Sequence, residues 1–336
     1  MYTLKDIEKR TFELNLNSNS YEANFNTLAL QAFHYQYSSN SIYRSYVSTL
    51  KLDVEKINHY THIPFLPIQF FKSHKVTCNN NGKEQLIFLS SATTGEIRSK
   101  HYIHDVSLYE KSFLSTFKKF YGNPNEYCIL ALLPNYLEKG DSSLVYMFNR
   151  LVNESKHELS GFYLSNLDDL IKTIRVLIQS KQKTILLGVT YALLDLADKA
   201  ISLNENFIVM ETGGMKGKRK EMVKEELHNY LKSQLNVDAI HSEYGMTELL
   251  SQAYSKQNGI FECPPWMKIS IREVNDPFSI VKLGKTGGLN IIDLANLHSC
   301  SFIETKDLAR INKINTFEII GRFDNSDIRG CNLMFS

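Results

Sequence analysis

Four stretches of this chain bring together residue types suited to a phosphorylated ligand. The first is Ser90-Ser91-Ala92-Thr93-Thr94-Gly95-Glu96-Ile97-Arg98, directly after the apolar run Leu86–Leu89. Hydroxyls on Ser90, Ser91, Thr93 and Thr94, with the small Gly95, can surround phosphate oxygens with O–H and N–H donors. Arg98 and Lys100 add charge. This is not the Gly-x-x-x-x-Gly-Lys-Ser/Thr loop, and a polar strand-to-helix connection has a similar composition. The second stretch, His241-Ser242-Glu243-Tyr244-Gly245-Met246-Thr247-Glu248, follows another β-rich run, and ligands of open α/β sheets collect beyond the carboxyl ends of strands. Tyr244 offers a flat face to a purine, Gly245 admits a close approach, and the Glu248 carboxylate can hold Mg²⁺; alternatively, Thr247 and Glu248 begin a helix. In the third, Ile303-Glu304-Thr305-Lys306-Asp307-Leu308, Asp307 at a predicted strand end could accept both hydroxyls of a ribose or be a turn residue. The fourth, Gly321-Arg322-Phe323-Asp324-Asn325-Ser326-Asp327-Ile328-Arg329-Gly330-Cys331, crowds Arg and Asp together, as a solvated turn also would.

The elements that must position these residues change character along the chain. Residues 1–75 read as a mostly helical N-terminal segment, ended by the prolines of Ile63-Pro64-Phe65-Leu66-Pro67. Over 76–265 short apolar runs alternate with longer amphipathic ones: strands are expected at Leu86–Leu89, 127–133, Thr184–Val189, 207–211 and 237–241. Helices are expected at 105–120, 142–154, 167–180, 192–201 and 219–234. Strands buried on both faces with helices between them predict a parallel α/β core. Over 266–336 strands at 267–274, 288–293, 301–305 and 317–321 follow one another without helices, with Leu283-Gly284-Lys285-Thr286-Gly287-Gly288 as a turn, so a β-rich subdomain is expected.

Composition limits the classes of function. With 43% apolar and 22% charged residues, the 336-residue chain is neither a disordered tail, a collagen-like fibre nor a coiled-coil rod. A net charge of +2 gives no general attraction to nucleic acid or anionic lipid, so partners must be read from local sites. Apolar runs such as 127–133 are too short to insert across a membrane, and Asp6, Glu8, Lys9 and Arg10 interrupt any signal-peptide centre. The expected location is the cytoplasm. Five cysteines without a Cys-x-x-Cys pair argue against a disulfide framework and a structural zinc site. His101 and His104 are spaced to share a metal on a helix, but without a third clustered ligand they read as ordinary histidines.

Taken in order, the hydroxyl-rich loop, Tyr244-Gly245-Met246-Thr247-Glu248, Thr305-Lys306-Asp307 and the run from Gly321 to Gly330 resemble the motif series of the adenylate-forming enzymes. That superfamily includes acyl-CoA synthetases and peptide-synthetase adenylation domains. The length, the stretch Leu133-Pro134-Asn135-Tyr136-Leu137-Glu138 and the ending near Cys331 look most like LuxE-type acyl-protein synthetases, with phenylacetate–CoA ligases next. LuxE-type proteins supply activated fatty acyl groups within fatty acid reductase systems. The likeness runs over roughly residues 60 to 336. It implies the N-terminal domain of an adenylate-forming enzyme, with parallel α/β sheets and a small antiparallel β subdomain, but lacking the C-terminal lid domain. Such a protein uses ATP and Mg²⁺ to turn a carboxylic acid, a fatty acid in the first expectation, into acyl-AMP. The acyl group then passes to a cysteine and onward to an acyl-reductase or carrier protein. An acyl- or aryl-CoA ligase and a catalytically silent nucleotide- or acyl-binding module are the alternatives.

Carried over by motif position, the resemblance assigns Ser90, Ser91, Thr93, Thr94 and Gly95 to the ATP phosphates and Tyr244 to adenine. Gly213 and Gly214 match the glycine pair against which adenine lies. Thr247 would contact the α-phosphate or the acyl carboxylate, Glu248 the Mg²⁺, and Asp307 the ribose hydroxyls with Arg322 nearby. Cys331 would be the acylated thiol, with Arg322 or Arg329 lowering its pKa and Cys300 in reserve. His241 would border the acyl pocket, and Trp266 would be a hinge or packing anchor. The sequence departs from the pattern at Ala92 for Gly, Glu96-Ile97-Arg98 for a Pro-Lys-like pair, and Lys306 for Gly. The lid that brings a lysine to the reacting phosphate is also missing from the pattern. Two anions meet in adenylation, and beside Mg²⁺ the candidates to neutralise charge are Arg98, Lys100 and the cluster Lys216-Gly217-Lys218-Arg219-Lys220, which also reads as a solvated basic turn.

Overall fold

The computed structural model describes residues 3–78, 82–91, 97–133, 140–163, 166–213, 222–313 and 315–323. The chain divides into two compact units, one made of Met1–Gly82 with Pro265–Ser336 and the other of Lys83–Pro264. The helical N-terminal segment and the β-rich C-terminal segment thus belong to the same unit.

The first unit opens with helices α1 (Leu4–Phe12), α2 (Tyr21–Ser39) and α3 (Ser41–Thr49), then a two-residue strand β1 (Leu66–Pro67) and a short helix α4 (Phe70–Ser73). Thr3 and Asp6 form a reciprocal capping box at the start of α1. Asn40 ends α2 and starts α3, because its side-chain oxygen accepts the Ile42 and Tyr43 N–H groups while its amide donates to the Ser299 carbonyl. In the sequence-distant half of the unit, β11 (Met267–Arg272), β12 (Thr286–Asp293), β13 (Phe302–Lys313) and β14 (Thr316–Arg322) form an antiparallel meander, with β1 parallel to β13. Phe33, Tyr43 and Phe65 surround Phe302 at this unit's core. The Lys268 ammonium sits 5.0 Å from the rings of Tyr21, Phe25 and Tyr60 and 2.6 Å from Glu22 Oε1, tying α2 to β11.

The second unit begins with a hairpin of β2 (Leu86–Leu89) and β3 (Lys100–Ile103). There follow α5 (Val106–Tyr121), β4 (Cys128–Leu132), α6 (Ser143–Ser155), β5 (Gly161–Tyr163), α7 (Leu167–Gln179), β6 (Thr184–Val189) and α8 (Thr190–Ala197). Then come β7 (Phe207–Thr212), α9 (Lys224–Leu235), β8 (Ile240–Tyr244), β9 (Ala253–Ser255) and β10 (Ile260–Glu262). Strands β5, β4, β6, β7 and β8 lie side by side and parallel, while β9 and β10 continue antiparallel from β8. Every residue of β4 and β6 is buried, as expected for strands covered on both faces. The α7 helix buries only Leu170, Ile174 and Leu177, a single stripe one or two turns apart.

Several expectations are corrected. The run Leu86–Leu89 is a strand, but it pairs only with β3 and stands outside the parallel sheet. The strand expected at 237–241 begins later, because Asn236 takes a left-handed conformation and the Val237 N–H closes the end of α9 on the Lys232 carbonyl. Asp307 does not end a strand: β13 continues to Lys313, with its register shifting around this residue. The strand expected from Gly288 begins two residues earlier, so Thr286 and Gly287, expected in the preceding turn, lie within β12. His101 lies in β3, so it shares no helical face with His104. Among the described residues, no helix is long and apolar enough to cross a membrane.

Candidate functional site

The hydroxyl-rich stretch connects β2 to β3, so it is a hairpin loop rather than a strand-to-helix turn. Its stem is closed by the Ser90 N–H donating to the Ser99 carbonyl at 3.1 Å and the Ser99 N–H donating to Ser90 Oγ at 2.9 Å. Arg98 reinforces it: Nε donates to the Ser90 carbonyl, and Nη1 and Nη2 grip the two Asp141 carboxylate oxygens at 2.8 and 3.1 Å. The Asp141 carbonyl in turn accepts the Leu89 N–H at 2.8 Å. Arg98 is therefore engaged in the stem, Ser91 stands exposed beyond it, and Thr93, Thr94 and Gly95 lie outside the described residues.

The Tyr244–Glu248 stretch turns away at the carboxyl end of β8, with the Leu249 N–H donating to the Met246 carbonyl; no helix starts at Thr247. At Gly245 a Cβ would lie 2.6 Å from Glu243 Oε1, so any other residue there would displace that buried carboxyl. The Thr247 carbonyl accepts from His101 Nδ1 at 2.7 Å, which makes Nδ1 the protonated ring nitrogen. His101 thereby ties β3 of the hairpin to the turn. Tyr244 packs edge-on against Phe261, with ring centroids 5.8 Å apart, and Lys224 Nζ lies 4.7 Å from the other ring's centroid. Glu248 is 4% exposed. No cluster of three or more His, Cys, Asp or Glu side chains among the described residues forms a metal cage. Mg²⁺ can be held by a single carboxylate completed by phosphate oxygens, and Glu248 would be that carboxylate.

Beneath this turn, Glu211 and Thr212 of β7 pair in register with Ser242 and Glu243 of β8. Glu211 Oε1 accepts from Ser242 Oγ at 2.5 Å, Lys224 Nζ at 2.9 Å and His228 Nε2 at 3.4 Å. Burial opposes its ionisation, but Lys224 and the hydrogen bonds prevail and bring its pKa down to about 2. Glu243 accepts a hydroxyl hydrogen bond from Thr212, at 2.5 Å; burial, helped by the Glu211 charge, pushes it up to about 7. The two carboxyls, on opposite faces of the β7–β8 pair, are thus pushed in opposite directions, a contrast invisible in sequence, although Glu243 lies inside the quoted motif. Gly213 follows β7, its carbonyl accepting the Thr190 hydroxyl at 2.9 Å, and Gly214 lies outside the described residues. His241 Nδ1 meets the Tyr121 hydroxyl at 3.1 Å, and burial, assisted by Lys256, lowers its pKa to about 4.

In the first unit Asp307 stands opposite Arg322, with Arg322 Nε 3.3 Å from Asp307 Oδ1. The Asp307 N–H donates to Thr305 Oγ1 at 3.1 Å, and the Phe323 N–H to the Lys306 carbonyl at 2.7 Å. Trp266 packs on Phe12 with ring centroids 4.9 Å apart, the packing-anchor reading of this residue. Cys331 and the rest of its stretch from Asp324 onward lie outside the described residues. The reserve thiol Cys300 is fully buried, and burial pushes its pKa far above the ordinary thiol value, so it is no accessible acyl acceptor.

Solved structures of adenylate-forming ligases share this fold. The 2-hydroxyisobutyryl-CoA ligase in complex with 2-HIB-AMP and CoA aligns over 97% of this chain and 73% of its own, with a TM-score of 0.68 and 11% identity. ATP-bound MatB from Rhodopseudomonas palustris aligns over 73% of this chain and 50% of its own, with a TM-score of 0.55 and 16% identity. The chain spans about half the length of the MatB structures, and at these identities the likeness is one of fold. No curated protein matches the sequence. The family model of the acyl-protein synthetase LuxE matches residues 5–336, and the chain belongs to that family.

Proposed function

We propose that this protein uses ATP to activate a carboxylic acid, a fatty acid in the first instance, and passes the acyl group through a cysteine to a partner. A carboxylate oxygen attacks the α-phosphorus, the bond to the β-phosphate breaks, and pyrophosphate leaves. Donors and cations must stand ready before that step, because like charges converge in it. Ser90, Ser91, Thr93, Thr94 and Gly95 hold the phosphates, on a stem that Arg98 keeps in shape. Thr247 orients the α-phosphate or the acyl carboxylate, and Tyr244 lies on adenine beside Gly213 and Gly214. Glu248 holds Mg²⁺, which when bound draws off charge developing on the phosphate oxygens. Asp307 accepts the ribose hydroxyls with Arg322 alongside. Cys331 then attacks the acyl carbonyl; the C–S bond forms as the bond to AMP breaks, and a reductase or carrier protein takes the acyl group.

The observation that carries this reading is the 2.7 Å bond from His101 to the Thr247 carbonyl, which supports a shared ligand for the hairpin and the turn. ATP–pyrophosphate exchange should depend on an added carboxylic acid, and Glu248→Gln should lower it about a hundredfold. A folded sample that binds no ATP and exchanges nothing with any acid in a chain-length panel would remove the reading. Coenzyme A as the acceptor is a second reading, favoured by the burial of all four described cysteines, Cys78, Cys128, Cys263 and Cys300. Acyl label that is hydroxylamine-labile and lost in Cys331→Ser supports the protein thiol; turnover that requires coenzyme A and survives Cys331→Ser supports the alternative.

A further inference from the structure

We infer that Arg272 is the positioning residue for the Asp307–Arg322 pair, holding a bulge in β13 that presents Asp307 to the ribose. The inference rests on the reading of Asp307 given above.

The register of β12 against β13 runs from Gly288 opposite Leu308 to Asn290 opposite Glu304. Between those pairs β12 advances by two residues and β13 by four, so Thr305, Lys306 and Asp307 together face Leu289. A second irregularity follows at once, between Leu308 and Ala309 against β14. Bulges interrupt the ladder, re-aim side chains and leave backbone groups in need of other partners. Arg272 supplies them. Its Nη1 donates to the Leu289 carbonyl at 3.0 Å and to Asn290 Oδ1 at 2.9 Å, and its Nη2 donates to the Thr305 carbonyl at 2.7 Å. Nη2 also lies 3.4 Å from Glu304 Oε1, and the guanidinium carbon lies 5.7 Å from the centroid of the Phe323 ring.

Three of these contacts, to the Leu289 carbonyl, the Thr305 carbonyl and the Phe323 ring, lead to the pair. Thr305 Oγ1 donates to the same Leu289 carbonyl at 2.8 Å and accepts the Asp307 N–H. Phe323 follows Arg322 directly, and its N–H returns to the Lys306 carbonyl. The guanidinium thus fixes the β13 segment that carries Asp307 and the β14 end that carries Arg322. The sequence makes room for it: opposite Arg272 stands Gly288, where a Cβ would lie 2.4 Å from Arg272 Cζ. A cation 5% exposed, paid for by a glycine inside a strand, is a costly way to fill space that an aliphatic side chain would fill by packing. It is an economical way to hold two bulge carbonyls and a ring at once.

The test is equilibrium titration of the purified chain with Mg²⁺–ATP and with Mg²⁺–2′,3′-dideoxy-ATP, which lacks the hydroxyls that Asp307 would accept. Wild type should prefer ATP by about tenfold or more, and Asp307→Asn should remove most of that preference. Arg272→Met should bring the preference to the Asp307→Asn level while leaving affinity for the dideoxy nucleotide unchanged, and Arg272→Lys should restore part of it. Gly288→Ala, which keeps the cation but displaces it, should also lower the preference and serves if Arg272→Met does not fold. A folded Arg272→Met or Gly288→Ala variant with the wild-type preference overturns the inference and leaves the Asp307 reading standing. A wild type that does not distinguish the two nucleotides overturns both.

Discussion

At the hairpin the holding cation is Arg98, whose side chain is 27% exposed and grips a partner of equal exposure, Asp141. At the β13 bulge it is Arg272, whose side chain is 7% exposed and which binds carbonyls of two strands. Both arginines hold a stretch the sequence marks as chemical, yet they work in different media. Water competes for Arg98 and screens its charge. Around Arg272 water is excluded, so each hydrogen bond counts for more and each missing one leaves a buried group unpaired. A surface staple can open and close with a ligand; a buried lock sets one geometry in advance.

The largest effect should come from breaking the buried lock. Arg272→Met is expected to cost about 3–5 kcal/mol of stability, read from urea unfolding, because Glu304 and the Thr305 carbonyl lose the Arg272 guanidinium. A smaller change, comparable to a surface substitution, would erase the contrast drawn here. Next is the carboxyl pair beneath the Tyr244 turn. Glu243, raised to about 7, keeps its proton in the folded state after the unfolded chain has lost it, so its contribution makes stability fall as pH rises between about 4.5 and 7. Glu211, lowered to about 2, acts oppositely, and its contribution is lost as pH falls from about 4.5 to 2. Glu243→Gln should therefore flatten the upper part of the stability–pH profile and leave the acid limb in place. An unchanged slope between pH 5 and 7 would count against a proton on Glu243.

Breaking the half-buried staple should matter less to the fold than to the ligand. Arg98→Met is expected to cost about 1–2 kcal/mol in the same unfolding experiment, with a raised KM for ATP as the stem under Ser90 and Ser91 loosens. Asp141→Asn should be milder still, since the amide oxygen keeps one hydrogen bond. Equal losses for Arg98→Met and Arg272→Met would mean that exposure does not separate the two regions.

Much of the architecture was legible because it is local. The apolar run Thr184–Val189 reads as a strand covered on both faces, and the amphipathic stretches at 105–120, 142–154 and 167–180 are helices in the structure. The order of the Tyr-Gly-Met-Thr-Glu, Thr-x-Asp and Gly-Arg motifs led to the family that the chain belongs to. Misplaced boundaries had local causes too, such as Asn236 turning left-handed and delaying β8. What no reading of neighbours could supply is whatever depends on distant chain meeting in the absence of water. The bond from His101 to Thr247 joins residues 146 apart, the divergent pKa values of Glu211 and Glu243 come from burial and from which of them Lys224 reaches, and nothing in the order of residues marks Gly288 as the space that Arg272 fills. Residue type and spacing determined which groups this protein has to work with. Tertiary structure decided which of them are charged, which are held and what holds them, because desolvation and hydrogen-bond geometry belong to the folded arrangement and not to the order of residues.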